Sequence, residues 1–158
     1  MSFVFQLLNQ PERNWTGLPP ATEAEIEGVK NSIDVDLPKE FWDLLRFSNG
    51  GEGNIALAPL IFKLDEIQEI IGLKNDEFYK SEFPNLLFFG GNGGLEMIAF
   101  DLRKKPYSVV MIDPIGGEES AIEIAPNITE FIKAIGLEYK DARTQKHYKN
   151  IYLINIML

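Results

Sequence analysis

The stretch Leu37-Pro38-Lys39-Glu40-Phe41-Trp42-Asp43-Leu44-Leu45, followed by Asn49-Gly50-Gly51, decides the fold of this chain. Proline suits the first turn of a helix, because the N–H that it lacks would be unpaired there. Phe41, Leu44 and Leu45 recur at helical spacing and predict one buried stripe. Asn and Gly accept the left-handed conformation in which helices end. The stretch therefore predicts an amphipathic helix that ends at Asn49-Gly50-Gly51.

A second helix is predicted just before this one. Thr22 and Glu25 have the spacing of a capping box, in which the two residues satisfy each other's free backbone N–H groups. The preceding residues 14–20 include two prolines and are interpreted as a loop. Three aliphatic residues at helical spacing predict a helix over about 21–33 with one buried face: Ile26, Val29 and Ile33.

The middle of the chain predicts a sheet. Its apolar segments are separated by short turns that leave no room for crossover helices, so we expect an antiparallel meander. The predicted strands cover 60–62, 86–89, 96–101, 108–113 and 121–124, with a weaker candidate at 55–57.

Shorter helices are predicted around this sheet. Asp65 is expected to cap a helix that Gly72 closes, and residues 74–84 are expected to be irregular or briefly helical. Asn127 is expected to open another helix, which ends near Gly136.

The pattern as a whole predicts an α+β fold, with helices packed on a mainly antiparallel central sheet. The 158 residues fit one domain without a linker or repeat, so we expect a single domain over 1–158. Residues 137–158 are treated as a C-terminal tail. A helix through Tyr148 is predicted there, followed by a strand over 151–154.

Charge restricts the class of partner. The net charge is −9, and residues 1–137 hold 11 basic against 22 acidic side chains. Such a surface repels phosphate backbones and attracts basic proteins, so direct nucleic-acid binding is not expected. There is no cysteine, no basic leader and no apolar run long enough for a membrane span. We therefore expect a cytoplasmic protein that does not engage a membrane.

Four motifs in order resemble the SUKH superfamily, typified by a fungal cell-wall assembly regulator. They are the opening stretch at 37–51, the entry helix at 20–26, the hairpin at 88–101 and the helix at 125–132. The resemblance covers about 18–136 and leaves the tail without a counterpart.

This resemblance implies a non-catalytic binding protein. Bacterial members are largely immunity proteins that neutralise polymorphic toxins, many of which are nucleases, and fungal members are regulatory interaction domains. The leading expectation is an immunity protein whose partner is a toxin domain with a basic surface. The alternatives are a regulatory interaction module without a toxin partner and a small-molecule-binding or hydrolytic enzyme.

The sequence offers little for catalysis, a metal or a cofactor, so none is expected. His147 is the one histidine and has no nucleophile motif near it. Residues 90–94 are rich in glycine but precede a strand, which indicates a hairpin turn instead of a phosphate loop. Asp101, Asp113 and Glu118-Glu119 do not have the spacing of a calcium-binding loop.

A binding role needs only acidic and polar groups that can cover a basic surface. Most of the residues that we expect to contribute lie in loops around the predicted sheet. They are Glu52, Asn54, Asn92, Glu96, Asp113, Glu118 and Glu119.

Overall fold

The computed structural model describes residues 2–139. The helix and strand predicted for the tail, and His147, lie outside the described residues. Within residues 2–139, no helix is both long enough and apolar enough to cross a membrane.

The described chain forms six helices and one antiparallel sheet of seven strands, an α+β fold that confirms the predicted fold class. The helices are α1 (Phe3–Leu8), α2 (Glu23–Ser32), α3 (Lys39–Phe47), α4 (Ile67–Asn75), α5 (Glu77–Glu82) and α6 (Ile128–Ala134). The strands are β1 (Trp15–Gly17), β2 (Gly51–Asn54), β3 (Ile61–Leu64), β4 (Leu86–Gly91), β5 (Met97–Asp101), β6 (Ser108–Ile112) and β7 (Ile122–Ala125). Two 3₁₀ turns lie between β6 and β7, at Pro114–Gly116 and Glu118–Ser120.

The seven strands form one antiparallel meander in chain order, as predicted. Their register aligns one residue from each of six strands in a single row: Thr16, Glu52, Lys63, Gly91, Met97 and Ile112. Because cross-strand neighbours share a face, this row fixes which side chains lie together.

The sheet has a helical face and an outer face, and both bury apolar side chains. On the helical face, Phe62, Phe89 and Phe100 pack against α3 and α6, where Phe89 contacts Phe41 and Phe131 edge to face. The outer face has a smaller cluster formed by residues from the sheet, from the segment around α5 and from the β6–β7 loop: Phe83, Leu86, Phe88, Ala99, Val110 and Ile112, with Tyr79 and Ala121 against them.

The two helices predicted first are present. The capping box of α2 is formed, since Thr22 Oγ1 accepts from the Glu25 N–H at 3.1 Å and Glu25 Oε1 accepts from the Thr22 N–H at 3.0 Å. Pro38 immediately precedes α3, whose buried residues include Phe41 and Leu44. Local capping and periodicity are therefore enough to place these helices.

The prediction that Asp65 caps α4 is wrong. The side chain of Asn49 takes that role, because its Oδ1 accepts a hydrogen bond from the Ile67 N–H at 2.8 Å. The helix also continues through Gly72 to Asn75, so the predicted end at Gly72 is wrong. A Cβ at Gly72 would meet nothing within 4 Å, so this glycine has no structural reason to break the helix.

The chain after α3 enters the sheet directly, which the sequence did not predict. Gly51 has φ +128 and begins β2, and a Cβ there would stand 2.7 Å from the Thr16 carbonyl oxygen. The segment 14–20, interpreted as a loop, holds β1, and the weak strand candidate at 55–57 is only a single bridge from Ile55 to Ile135. These edge strands are short and rich in glycine, so they have no periodic signal.

The central strands agree with the prediction except at the glycines. Gly90 and Gly91 belong to β4, although both were assigned to the turn. At Gly90 a Cβ would lie 2.3 Å from the Lys63 carbonyl oxygen, so only glycine lets β3 pair this closely with β4. The turn proper begins at Asn92.

Candidate partner-binding surface

Most of the predicted binding residues are gathered at one end of the sheet. Asn54 pairs with Ile61 at the start of β3, and the β3–β4 register places this pair at the end where β4 finishes. The turn from Asn92 to Glu96 and the residue after β6, Asp113, lie at the same end. We call Asn54, Asn92, Glu96 and Asp113, with Glu52 in the adjoining row, the acidic end.

Asn92 holds the β4–β5 turn together. Its Oδ1 accepts hydrogen bonds from the Gly94 N–H at 2.8 Å and the Glu96 N–H at 3.3 Å. Its backbone N–H donates to the Glu96 carbonyl at 3.1 Å. The amide of Asn92 is therefore used to shape the turn, and the positions of Leu95 and Glu96 depend on it.

Glu96 and Asp113 form an electrostatically unfavourable pair. Burial, and then the nearby charge of Asp113, raise the pKa of the Glu96 carboxyl. Glu96 Oε2 is shielded from solvent and has no hydrogen-bond donor among residues 2–139. Asp113 is better satisfied, because its Oδ1 accepts from the Ile115 N–H at 2.9 Å. The free protein therefore keeps one shielded carboxylate oxygen of Glu96, without a donor among residues 2–139, near a second carboxylate.

Glu118 is engaged inside the molecule. Its two carboxylate oxygens accept from the backbone N–H of Asn85 at 2.8 Å and from the Asn85 side-chain amide at 3.1 Å. Asn85 precedes β4, so these bonds draw the β6–β7 loop towards the opposite end of that strand. Partner contact by Glu118 stays a prediction, whereas Glu119 beside it is exposed.

Glu52 connects the acidic end to an open groove of about 460 Å³. The groove is lined by residues of β1–β3 and the first turns of α4, among them Leu18, Glu52, Lys63, Glu66 and Glu69. Glu66 and Glu69 are exposed, and sequence reasoning did not select them. No signal could have done so, because their place beside Glu52 depends on how Asn49 anchors α4.

The positive charges lie elsewhere. Seven of the eleven basic residues in 1–137 form ion pairs: Lys30, Lys39, Arg46, Lys80, Arg103, Lys105 and Lys133. These pairs involve the helices and the turn between β5 and β6, which is at the other end of the sheet. Lys63 on β3 is the cross-strand neighbour of Glu52.

Among residues 2–139, no group of three or more histidine, cysteine, aspartate or glutamate side chains is placed to hold a metal ion. Asp101 was one of the carboxylates considered as a metal ligand. It forms an ion pair with Arg103 at 2.7 Å, and this interaction lowers the pKa of the Asp101 carboxyl.

A family model described as SMI1 / KNR4 family (SUKH-1) matches residues 20–134, which cover the fold from the approach to α2 to the end of α6. No curated protein matches the chain.

Proposed function

The chain belongs to the SMI1 / KNR4 family (SUKH-1), and from this premise we propose that it is an immunity protein that binds and neutralises a cognate toxin with a basic surface. The resemblance to bacterial immunity proteins supports this role. The absence of cysteine from the sequence fits action in a reducing cytoplasm.

The single observation that favours a basic partner is the segregation of charge. Lysines and arginines of residues 1–137 are mostly neutralised in pairs on the helices and the β5–β6 turn. Glu52, Glu66, Glu69 and Glu119 are exposed and have no ion-pair partner within residues 2–139. Three of these carboxylates, those of Glu52, Glu66 and Glu69, line one groove. Such a group produces a directed field, which speeds the encounter with a positively charged protein.

The proposed binding face is the acidic end, the groove beside Glu52 and the exposed Glu119 of the β6–β7 loop. Of the seven predicted residues, Glu52 and Glu119 are the most available for direct contact, because both are exposed and neither side chain makes a hydrogen bond within residues 2–139. Asn92 and Asp113 act in part by holding the loops in shape.

Neutralisation on this face needs no reaction by the immunity protein. A toxin that acts on a polyanion, such as a nuclease, must keep cationic groups open to its substrate. Carboxylates presented at the acidic end would pair with those groups, and the body of the fold would exclude the substrate. A few desolvated contacts would set the affinity, while the remaining charges would set the association rate.

The first test is capture of the tagged full chain from its host at low ionic strength, followed by mass spectrometry of the retained proteins. We expect one toxin-bearing chain that is released as salt is raised, because the attraction is screened within about 10 Å at 0.1 M salt. The purified chain should then inhibit the activity of that toxin at equimolar concentration. Capture of a housekeeping protein, without any effect on a toxin, would support the regulatory interaction module instead.

A matched pair of variants makes the test specific to the surface. The double change Glu52→Lys and Glu119→Lys should weaken toxin binding and reduce its dependence on salt. The control, Glu27→Lys with Glu130→Lys, alters the net charge equally but on α2 and α6, and the surface pairs it breaks contribute little to stability. Equal loss of binding in both variants would show that only the total charge matters.

A further inference from the structure

Three of the most exposed aliphatic side chains of the described chain lie at the acidic end. Ile61 at the start of β3 is 54% exposed, Leu95 in the β4–β5 turn is 70% exposed, and Ile115 after β6 is 86% exposed. The strand register gives them one common location, because Ile61 pairs with Asn54 and the other two flank the Glu96 and Asp113 positions. Apolar groups concentrated in this way, among carboxylates, are typical of a protein-binding surface.

The loops that present these side chains are fixed by hydrogen bonds. Asn92 closes the turn that holds Leu95. Asp113 caps the 3₁₀ turn that begins with Pro114, and its carbonyl accepts from Ser120 Oγ at 3.2 Å. Because the loops are already ordered, a partner that covers Leu95 and Ile115 loses little to conformational entropy on binding.

The carboxylates between these apolar groups favour a cation. Glu96 is partly buried, its Oε2 has no donor within residues 2–139, and Asp113 lies close enough to repel it. A lysine or arginine side chain brought to this pair would offset both the repulsion and the lost hydration. The gain is greater than at an exposed carboxylate, which water already solvates.

We propose that the acidic end receives a lysine or arginine side chain of the toxin, with the cation at Glu96 and Asp113 and with apolar neighbours of that residue packed on Ile61, Leu95 and Ile115. This inference rests on the proposed function and deepens it, since it defines the docking face and the chemistry of the matching patch on the toxin. Leu95 and Ile115 are the anchors, and Glu96 determines the preference for a cation.

The test places a photo-reactive amino acid at position 95 or 115 of the tagged full chain and irradiates it in a lysate of the host at low ionic strength. Asn31 on α2 and Ser81 on α5 are exposed positions for the control probes. We expect adducts from 95 and 115 but not from 31 or 81, with a cross-linked peptide that contains lysine or arginine. The adduct should disappear in the Glu96→Gln background.

Affinity measurements on the captured toxin complete the test. Leu95→Ser with Ile115→Ser should weaken binding on the order of tenfold or more. Phe78→Ser, which removes another side chain that is 59% exposed but lies on α5, should leave the affinity unchanged. Both variants should keep the wild-type unfolding profile, because the residues that they alter are largely exposed.

The outcomes separate this inference from the proposed function. A toxin bound and neutralised by the wild type, with adducts only from positions 31 or 81, would overturn the docking face and leave the immunity role intact. A non-toxin adduct from 95 and 115 that depends on Glu96 would support the docking face and overturn the immunity role. If neither a captured toxin nor an adduct is found, both proposals fail.

Discussion

Asn49, in the loop after α3, accepts a hydrogen bond from the backbone N–H of Ile67, the first residue of α4, at 2.8 Å. The residue therefore caps a helix that begins 18 positions later instead of ending its own. Glu66 at the N-cap position of α4 makes no side-chain cap, so Asn49 replaces a local capping residue. This link fixes α4 and, with it, the groove wall that holds Glu66 and Glu69.

Removal of this cap should destabilise the protein. Asn49→Ala is expected to lower the free energy of unfolding by about 1 kcal/mol, a typical loss for a capping residue. Urea denaturation followed by circular dichroism measures the change. Asn31→Ala, at an exposed position of α2, is the control and should stay close to the wild type. If both substitutions have the same effect, the hydrogen bond to Ile67 is not stabilising.

Gly90 should tolerate no side chain. Gly90→Ala places a methyl group where the Lys63 carbonyl oxygen stands, so we expect a loss of about 2–3 kcal/mol as β3 and β4 separate. Gly28→Ala in α2 meets no atom within 4 Å and should instead stabilise the protein by about 0.5–1 kcal/mol. Opposite shifts of the urea midpoint are the expected result, and shifts of the same sign would contradict the close approach of the strands.

The carboxyl of Asp65 should make stability depend on pH. Burial, and then the charge of Glu69, raise the pKa of Asp65 to about 6, above its value of 3.8 in an unperturbed chain. Because the folded-state pKa is the higher one, ionisation opposes folding. This destabilisation is fully present above pH 6 and disappears below about pH 4.

Asp65→Asn should therefore stabilise the protein at pH 7.5 by about 1 kcal/mol, a figure reduced for solvent screening of a partly exposed group. The advantage should shrink as the pH falls from 6 to 4. Urea denaturation at several pH values measures this difference in stability. Asp34→Asn, at an exposed position, is the control for the loss of one negative charge. A constant advantage at every pH would show that ionisation of Asp65 is not its cause.

The charged carboxylate of Glu96 should lower the stability of the free protein while it strengthens toxin binding. The charged form is disfavoured in the free protein, since burial and Asp113 raise its pKa. Glu96→Gln should thus raise the unfolding temperature at pH 7.5 while it weakens toxin binding, and the stability difference should fade as the pH is lowered through the raised pKa. Calorimetry and binding measurements on the same samples test both effects, and a variant that is less stable but binds equally well would contradict the proposed role.

The sequence predicts those parts of the fold whose signals are local. Thr22 and Glu25 are three residues apart and cap α2 as their spacing indicates. Other contacts join segments that are distant in the sequence. Asn49 bonds to Ile67, and Gly51 avoids a clash with the Thr16 carbonyl oxygen. Local capping and turn rules cannot detect such contacts, so they assigned Asn49 and Gly51 only to the end of α3. The short strands β1 and β2 were not predicted, because only their hydrogen-bonded pairing with neighbouring strands defines them.

The sequence indicated which acidic and polar residues could form a binding surface, but not how these residues are placed relative to one another. Acidic loops could be recognised in the sequence, but the grouping of Asn54 with Glu96 and Asp113 follows from strand register. Glu118 is bonded to Asn85, which is 33 positions away, and no local pattern reveals such a contact. Exposed Leu95 and Ile115 look like ordinary core residues in the sequence, since only the fold shows which aliphatic side chains are left outside.

The most direct test of the immunity role is survival of cells that express the captured toxin together with this chain. Cells with the wild type should survive, as should cells with the Glu27→Lys and Glu130→Lys control, whereas cells with Glu52→Lys and Glu119→Lys should lose protection at equal protein levels. Full protection by the Glu52 and Glu119 variant, or no protection by the wild type, would contradict neutralisation through the proposed binding face.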